Sequence, residues 1–103
     1  FEPASWAKEN GVDLIITDHH LSDETHGNPD AFAIVNPNQT GCEYPDKNLA
    51  GVGVAFKLAH ALLREKGREN LVEGFLKVVA IGTIADIMRL TGENRAIVSL
   101  GLR

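Results

Sequence analysis

The sequence lacks several features that would assign it to a class of protein on their own. It has a single cysteine, Cys42, which excludes an internal disulfide and a cysteine-pair zinc motif and weakly favours a reducing compartment. Its net charge of −4 shows no basic excess of the kind that indicates a nucleic-acid-binding surface, although a local patch is compatible with it. No apolar run reaches the roughly 18 residues that a membrane-spanning helix needs. What is left is one small globular domain of 103 residues.

Glycine, proline and the spacing of apolar residues predict an α/β fold for the N-terminal half. A short helix over residues 3–10 is followed by an apolar strand over 12–17, and a second strand is expected over 31–36. Residues 21–30 and 37–48 are rich in polar residues, glycine and proline, which is typical of loops. Because a helix, a glycine and an apolar strand follow one another, we expect a parallel sheet covered on both faces.

The C-terminal half is predicted to be helical. Apolar residues three to four apart predict one helix from about Ala50 to Gly67 and a second from Glu69 to Ile81, with a break after Gly82–Thr83 and a last helix from about Gly92. The expected inward positions are Val54, Leu58, Ala61 and Leu62 in the first helix and Leu71, Val72, Phe75, Val78 and Val79 in the second. The chain has no initiator Met and ends on an uncapped apolar pattern, so we expect it to be a piece of a longer protein.

Three potential metal ligands, Asp18, His19 and His20, follow directly after the first predicted strand. In open α/β sheets, ligands bind outside the carboxyl ends of the strands. Carboxylate and imidazole together suit manganese, zinc or iron, and additional oxygen ligands shift the preference toward manganese or magnesium. Adjacent side chains at a strand exit are expected to point to opposite sides. The alternative interpretation is a set of polar loop residues without a ligand.

A lone acid, Asp86, lies in the otherwise apolar stretch "VVAIGTIADIM". A carboxylate in apolar surroundings is costly unless it is paired or bound to a metal. The residue is therefore a candidate metal ligand. The alternative is that it caps a helix that begins after the break at Gly82–Thr83.

Gly51, Gly53 and Arg95 are candidates for contact with a phosphate group. The two glycines open the long helix, where a ligand can come close to the backbone and where the helix N-terminus attracts phosphate. The arginine can bind a phosphate through two parallel hydrogen bonds. The alternatives are close packing for the glycines and a surface ion pair between Arg95 and Glu93.

Three blocks of this sequence together resemble a known family. They are "GVDLIITDHH", "IVNPNQTGCEYPDKNLAGVGVAFKLAHAL" and "VAIGTIADIMRLTGENRAIVSLGL", and they cover nearly the whole chain from about Gly11. In this order and with these gaps they resemble the DHH phosphoesterases, and within them the RecJ single-stranded-DNA exonucleases. The resemblance implies that residues 1–103 are part of a DHH catalytic domain, without its N-terminal Asp-rich motif and its C-terminal nucleic-acid-binding subdomain. Arg89 stands where these proteins usually carry proline.

The resemblance implies a function for the full-length protein. RecJ enzymes are metal-dependent hydrolases that degrade single-stranded DNA from the 5′ end with Mn²⁺ or Mg²⁺, through a two-metal mechanism. It further implies a cytoplasmic protein that acts in DNA repair and recombination. The implied substrate is single-stranded DNA, and the implied partners are a single-strand-binding protein or a helicase. The chain alone has too few ligands for two metals, and we expect it to be inactive.

The resemblance also implies a role for each candidate residue. His19 and Asp86 are expected to bind metal, His20 to contact the scissile phosphate or to support the metal ligands, and Asp18 mainly to orient the histidines by hydrogen bonding. Gly51 and Gly53 are expected to let the helix N-terminus approach the site, and Arg95 to make either a phosphate contact or a structural contact.

Other functions are compatible with a DHH motif. They include an oligoribonucleotide or cyclic-dinucleotide phosphodiesterase and a family-II pyrophosphatase, and the second block favours the RecJ group over these. A non-catalytic RecJ-like binding module is a further alternative. The presence of His19, His20 and Asp86 favours an enzyme.

Overall fold

The computed structural model describes residues 1–22 and 25–103, and the predicted α/β fold is confirmed within them. In chain order the elements are α1 (Glu2–Glu9), β1 (Ile15–Thr17), β2 (Ala33–Val35), α2 (Gly51–Glu65), a 3₁₀ helix (Glu69–Phe75), α3 (Leu76–Ala85) and α4 (Gly92–Gly101). The segment between β2 and α2 has neither helix nor strand, as predicted. Of the predicted loop 21–30, Asp23 and Glu24 lie outside the described residues. None of the helices in the described ranges combines the length and apolar character needed to cross a bilayer.

The two strands are parallel, as predicted, but each is only three residues long. Ile16 is paired with Ile34, and Thr17 with Val35. The prediction that both faces are covered is wrong for the described chain, since Val12 and Ile15 are each 49% exposed. The reason is that the described sheet has two strands, and its contact with the core is made by Val35.

The hydrophobic core lies where α2, α3 and α4 meet. Its buried members are Leu49, Val54, Phe56, Val79, Ala80 and Ile97. Burial in α2 is confined to the first two turns, so the inward prediction is confirmed for Val54 and wrong for Ala61 and Leu62, which are exposed. Leu58 and Leu63 are half-buried, so burial decreases along this helix from its beginning to its end.

The region predicted as one helix over residues 69–81 is divided into a 3₁₀ helix and α3. The inward prediction is confirmed for Val79, which is buried, and for Val72, which packs against the core. It is wrong for Leu71, Phe75 and Val78, which are 47%, 47% and 64% exposed. Leu71 and Phe75 lie in the 3₁₀ helix, where three residues per turn move an apolar pattern spaced for an α-helix off one face. Val78 lies in α3, on a side that is exposed in the described chain.

The break predicted after Gly82–Thr83 is also wrong, because α3 continues to Ala85. Gly82 is needed for helix packing: a Cβ atom added there would lie 2.7 Å from Cγ1 of Val52 in α2. Thr83 is fully buried and its hydroxyl donates a hydrogen bond to the Val79 carbonyl at 2.8 Å. The two residues that suggested a helix break therefore serve close packing.

Side chains connect the irregular segment before α2 to the start of α4. Asp46 Oδ2 accepts a hydrogen bond from the Glu93 backbone N–H at 3.0 Å, and so pairs one of the free N–H groups in the first turn of α4, whose N-cap residue is Thr91. The amide of the fully buried Asn94 donates to the carbonyls of Asn48 (2.6 Å) and Arg89 (3.0 Å). These bonds fix the chain just before α2 relative to the chain just after α3.

Candidate metal centre

The Asp18 carboxylate organises the turn that follows β1. The last ladder bond of the sheet is donated by the Asp18 N–H to the Val35 carbonyl at 3.0 Å. Beyond it, Asp18 Oδ1 accepts the N–H groups of His19 (2.7 Å) and His20 (3.3 Å) and lies 2.6 Å from Nδ1 of the His20 ring. Local hydrogen bonding of this kind by aspartate is what favours it in turns.

The same contacts determine the charge state of Asp18. Partial burial acts to raise its pKa, but the hydrogen bonds from the His20 ring and from both backbone N–H groups outweigh that effect. The pKa of Asp18 is therefore held below its ordinary value. The residue is a carboxylate at neutral pH and can accept all of these hydrogen bonds.

The two histidine rings differ in environment but remain close together. The His19 side chain is 15% exposed, whereas that of His20 is 76% exposed. Their ring centroids are 4.5 Å apart, so the expectation that the side chains point to opposite sides is wrong. The strand alternation ends at Thr17, and the tight turn around Asp18 brings the rings together. Ligand atoms of Asp18, His19 and His20 all lie within 4.8 Å of one another.

Asp86 reaches the triplet from the other half of the chain. Its Oδ2 atom lies 3.3 Å from Nε2 of His19. Asp86 directly follows the last residue of α3, so the alternative that it caps a following helix is wrong. The carboxyl end of a helix carries a partial negative charge, which favours a cation at this position.

An unusual backbone conformation follows Asp86. The helix ends with two hydrogen bonds, from Ile87 N–H to the Ile84 carbonyl (3.0 Å) and from Met88 N–H to the Thr83 carbonyl (3.4 Å), which define a Schellman motif. The residue at its left-handed position is Ile87, with φ 54°, where glycine is usual. This turn reverses the chain immediately after the candidate ligand.

Of the three predicted phosphate contacts, Gly51, Gly53 and Arg95, only Gly51 lies against the triplet in the described contacts. A Cβ atom added to Gly51 would lie 3.5 Å from Cδ2 of His19, so the start of α2 lies against the triplet. Gly53 is buried and faces Leu49 instead, which agrees with the close-packing alternative. Arg95 is exposed on α4, and its side chain forms no hydrogen bond or ion pair within residues 1–22 and 25–103.

The alternative pairing of Arg95 with Glu93 is wrong. The Glu93 carboxylate contacts the Tyr44 hydroxyl through one oxygen and lies 3.2 Å from Nζ of Lys57 through the other. Burial, together with this carboxylate, raises the pKa of Tyr44. Both oxygens of Glu93 are therefore engaged away from Arg95.

The donor set fits a divalent metal. Ligand atoms about 2.1 Å from a shared ion are roughly 3.0 Å apart in octahedral and roughly 3.4 Å apart in tetrahedral geometry. The 3.3 Å between His19 Nε2 and Asp86 Oδ2 lies within this range. Mixed nitrogen and carboxylate ligands are compatible with manganese and zinc.

The sequence interpretation missed two residues that contact the histidines. The side-chain amide of Asn36 donates to the His20 carbonyl, and that of Asn38 donates to the His19 carbonyl, both at 2.8 Å. Asn36 and Asn38 lie in a segment without helix or strand periodicity. In such a segment the sequence does not predict which backbone groups a side chain contacts. The turn-forming sequence Asn-Pro-Asn next to a strand end was the only signal available.

A family model described as the DHH family, N-terminal domain, matches residues 1–83. The chain belongs to the DHH family. The triplet that gives this DHH chain its sequence motif is the one assembled at the end of β1. No solved structure matches the DHH chain.

The chain is similar to several curated proteins named single-stranded-DNA-specific exonuclease RecJ. It is 58% identical to that of Bacillus subtilis over 99 residues, which are 96% of this chain and 12% of the relative. It is 49% identical to that of Salmonella typhimurium over 107 residues (93% of this chain, 18% of the relative). It is 42% identical to that of Thermus thermophilus over 96 residues (91% of this chain, 13% of the relative). The predicted resemblance is confirmed, and the DHH chain spans less than a fifth of the length of these relatives.

Proposed function

We propose that these residues form part of a metal-dependent hydrolase that degrades single-stranded DNA from the 5′ end. The observation that carries the proposal is the 3.3 Å approach of Asp86 to His19, which joins the DHH turn to the end of α3. The names of the similar proteins supply the substrate, single-stranded DNA. A role in DNA repair and recombination in the cytoplasm, and contacts with a single-strand-binding protein or a helicase, belong to the same proposal.

Within this proposal His19 and Asp86 hold a Mn²⁺ or Mg²⁺ ion. The chemistry supplied there by a bound ion would be a water of lowered pKa and partial neutralisation of the phosphate charge. Asp18 fixes His20 through the 2.6 Å contact at Nδ1, which leaves Nε2 of the exposed ring directed away from that carboxylate. In the doubly protonated ring both nitrogens donate, so Nε2 would then donate to a phosphate oxygen. His19 is the more buried ring, which is in keeping with a ligand and not a substrate contact.

The start of α2 is suited to bind the phosphate beside this centre. Its N-cap is Ala50, no side chain caps the first turn, and that turn contains no acidic residue. Backbone N–H groups there are left without intrahelical partners, and with the helix dipole they favour an anion. Gly51 brings this turn against His19, so metal and phosphate would lie next to each other. Arg95, which is exposed and unpaired in the described chain, is proposed as a further phosphate contact.

The test is hydrolysis of 5′-labelled single-stranded DNA by the full-length protein with Mn²⁺. We expect His19→Ala and Asp86→Asn to abolish release of mononucleotides. His60→Ala is the matched control. His60 lies in the second half of α2 and contacts Glu69 of the 3₁₀ helix, so we expect this variant to leave the activity unchanged. Full activity in both site variants would contradict the proposed function.

We further propose that the isolated chain of 103 residues is inactive, because it contributes few ligands toward two metals. The isolated chain is expected to show no turnover with Mn²⁺ at a concentration that saturates the full-length protein. Turnover by the isolated chain that His19→Ala abolishes would contradict this part of the proposal.

A further inference from the structure

Three consecutive side-chain amides after β2 are directed at backbone carbonyls. Gln39 donates to the Ile34 carbonyl at 3.0 Å, within its own segment. Asn36 and Asn38 instead donate across the sheet, to the carbonyls of His20 and His19, both at 2.8 Å. Two of the three amides thus hold the main chain of the two histidines.

These bonds begin where the sheet ends. The last paired residues are Thr17 and Val35, and the last ladder bond runs from the Asp18 N–H to the Val35 carbonyl. Beyond that point neither chain continues as a strand. The asparagine side chains take the place of the ladder hydrogen bonds. Without these side chains, both histidine carbonyls would lose the amide donors that hold them.

The asparagines are themselves held in place. Asn36 is 7% exposed, and its Oδ1 accepts the Asn38 backbone N–H at 2.9 Å, which closes a turn around Pro37. Lys47 Nζ donates to the Pro37 carbonyl at 2.6 Å and to the Cys42 carbonyl at 2.9 Å. A rigid turn therefore presents the two amides.

We propose that Asn36 and Asn38 are positioning residues that hold the two histidines in a geometry ready for metal before any metal binds. The inference rests on the proposed function for its metal, whereas the contacts themselves are made between groups of the chain. Asp18 accepts the N–H groups of both histidines and the asparagines donate to their carbonyls, so the peptide between His19 and His20 is held at both its N–H and its carbonyl, and the peptides before and after it are each held at one group. Outer contacts that orient metal ligands typically change metal affinity by about 10- to 100-fold when removed.

The experiment compares Asn38→Ala with Gln39→Ala in the full-length protein. Both variants remove one amide side chain from the same turn, but Gln39 does not contact a histidine. Asn36→Ala serves as a second variant, since it removes the contact to His20. Mn²⁺ affinity is measured by electron paramagnetic resonance, and amide hydrogen exchange at His19 and His20 is measured by NMR without metal.

We expect Asn38→Ala and Asn36→Ala to weaken Mn²⁺ binding about tenfold and to accelerate exchange at the histidine amides. Gln39→Ala is expected to leave both unchanged, even where it lowers the stability of the turn. Equal affinity and equal exchange in the asparagine variants and Gln39→Ala would overturn the positioning role. If the unaltered protein binds no Mn²⁺, the proposed function is overturned instead, and the exchange comparison alone decides the positioning role.

Discussion

Replacing Ile87 with glycine is expected to stabilise the chain although it removes a large side chain. Ile87 is 90% exposed, so its replacement gives up almost no buried apolar surface. Its φ of 54° lies in the left-handed region, which a β-branched residue rarely adopts. The Schellman hydrogen bonds at the end of α3 require this conformation whatever residue occupies the position.

The size of the effect follows from two opposing contributions. A left-handed conformation costs a residue with a Cβ atom about 1–2 kcal/mol, and glycine avoids this cost. Glycine in turn lowers the free energy of unfolding by about 0.5–1 kcal/mol, because it gives the unfolded chain more conformational freedom. Because isoleucine lies at the upper end of the first range, we expect Ile87→Gly to raise the free energy of unfolding by about 1 kcal/mol.

The assay is urea unfolding followed by circular dichroism, with Ile87→Ala as the control. Alanine removes the exposed side chain but keeps the Cβ atom, so we expect it to gain only a small part of the effect. A midpoint for Ile87→Gly at or below that of the unaltered chain would refute the reasoning. It would mean either that Ile87 does not adopt a positive φ or that its side chain is buried in solution.

Three further predictions follow from other contacts. Gly51→Ala is expected to change the free energy of unfolding by less than about 1 kcal/mol, since the added methyl group meets His19 at 3.5 Å. In the full-length protein the same variant is expected to raise the KM for single-stranded DNA several-fold. An unchanged KM would contradict the phosphate-binding role. Burial and the Glu93 carboxylate raise the pKa of Tyr44 above 10.0, so the stability it contributes is complete below about pH 10 and is lost as the pH rises through the folded pKa. Urea unfolding at about pH 9 and about pH 11 is expected to show a smaller alkaline loss for Tyr44→Phe than for the unaltered chain, and equal losses would refute this. Asn94→Ala leaves two backbone carbonyls unpaired and is expected to cost about 2 kcal/mol in the same unfolding assay; a loss below about 0.5 kcal/mol would show that water replaces the amide.

Local patterns predicted those parts of the fold that depend on few long-range contacts. The short helix, the parallel pair of strands and the long helix from about Ala50 were predictable because glycine, proline and apolar spacing mark them directly. The region around Gly82 was not, because its glycine serves contact with Val52, a partner 30 positions away in the chain. Turn-favouring residues do not end a helix when tertiary packing requires them inside it.

The candidate site shows the same division. Asp18, His19 and His20 are adjacent in sequence, so their position at a strand exit could be predicted from the strand alone. That Asp86 lies beside His19 was implied only by the family resemblance, and the structure brings the two side chains together. Asn36 and Asn38 act through single amide bonds to carbonyls about 16–19 residues earlier, which no local pattern predicts.

If His19 and Asp86 bind one divalent metal, a Mn²⁺ titration of the full-length protein shows the loss of that site when either residue is replaced. The titration compares the unaltered protein with His19→Ala, Asp86→Asn and the control His60→Ala. We expect the first two variants to weaken Mn²⁺ binding by at least about tenfold and the control to bind like the unaltered protein. Equal Mn²⁺ affinity in all four proteins would mean that His19 and Asp86 do not bind the metal.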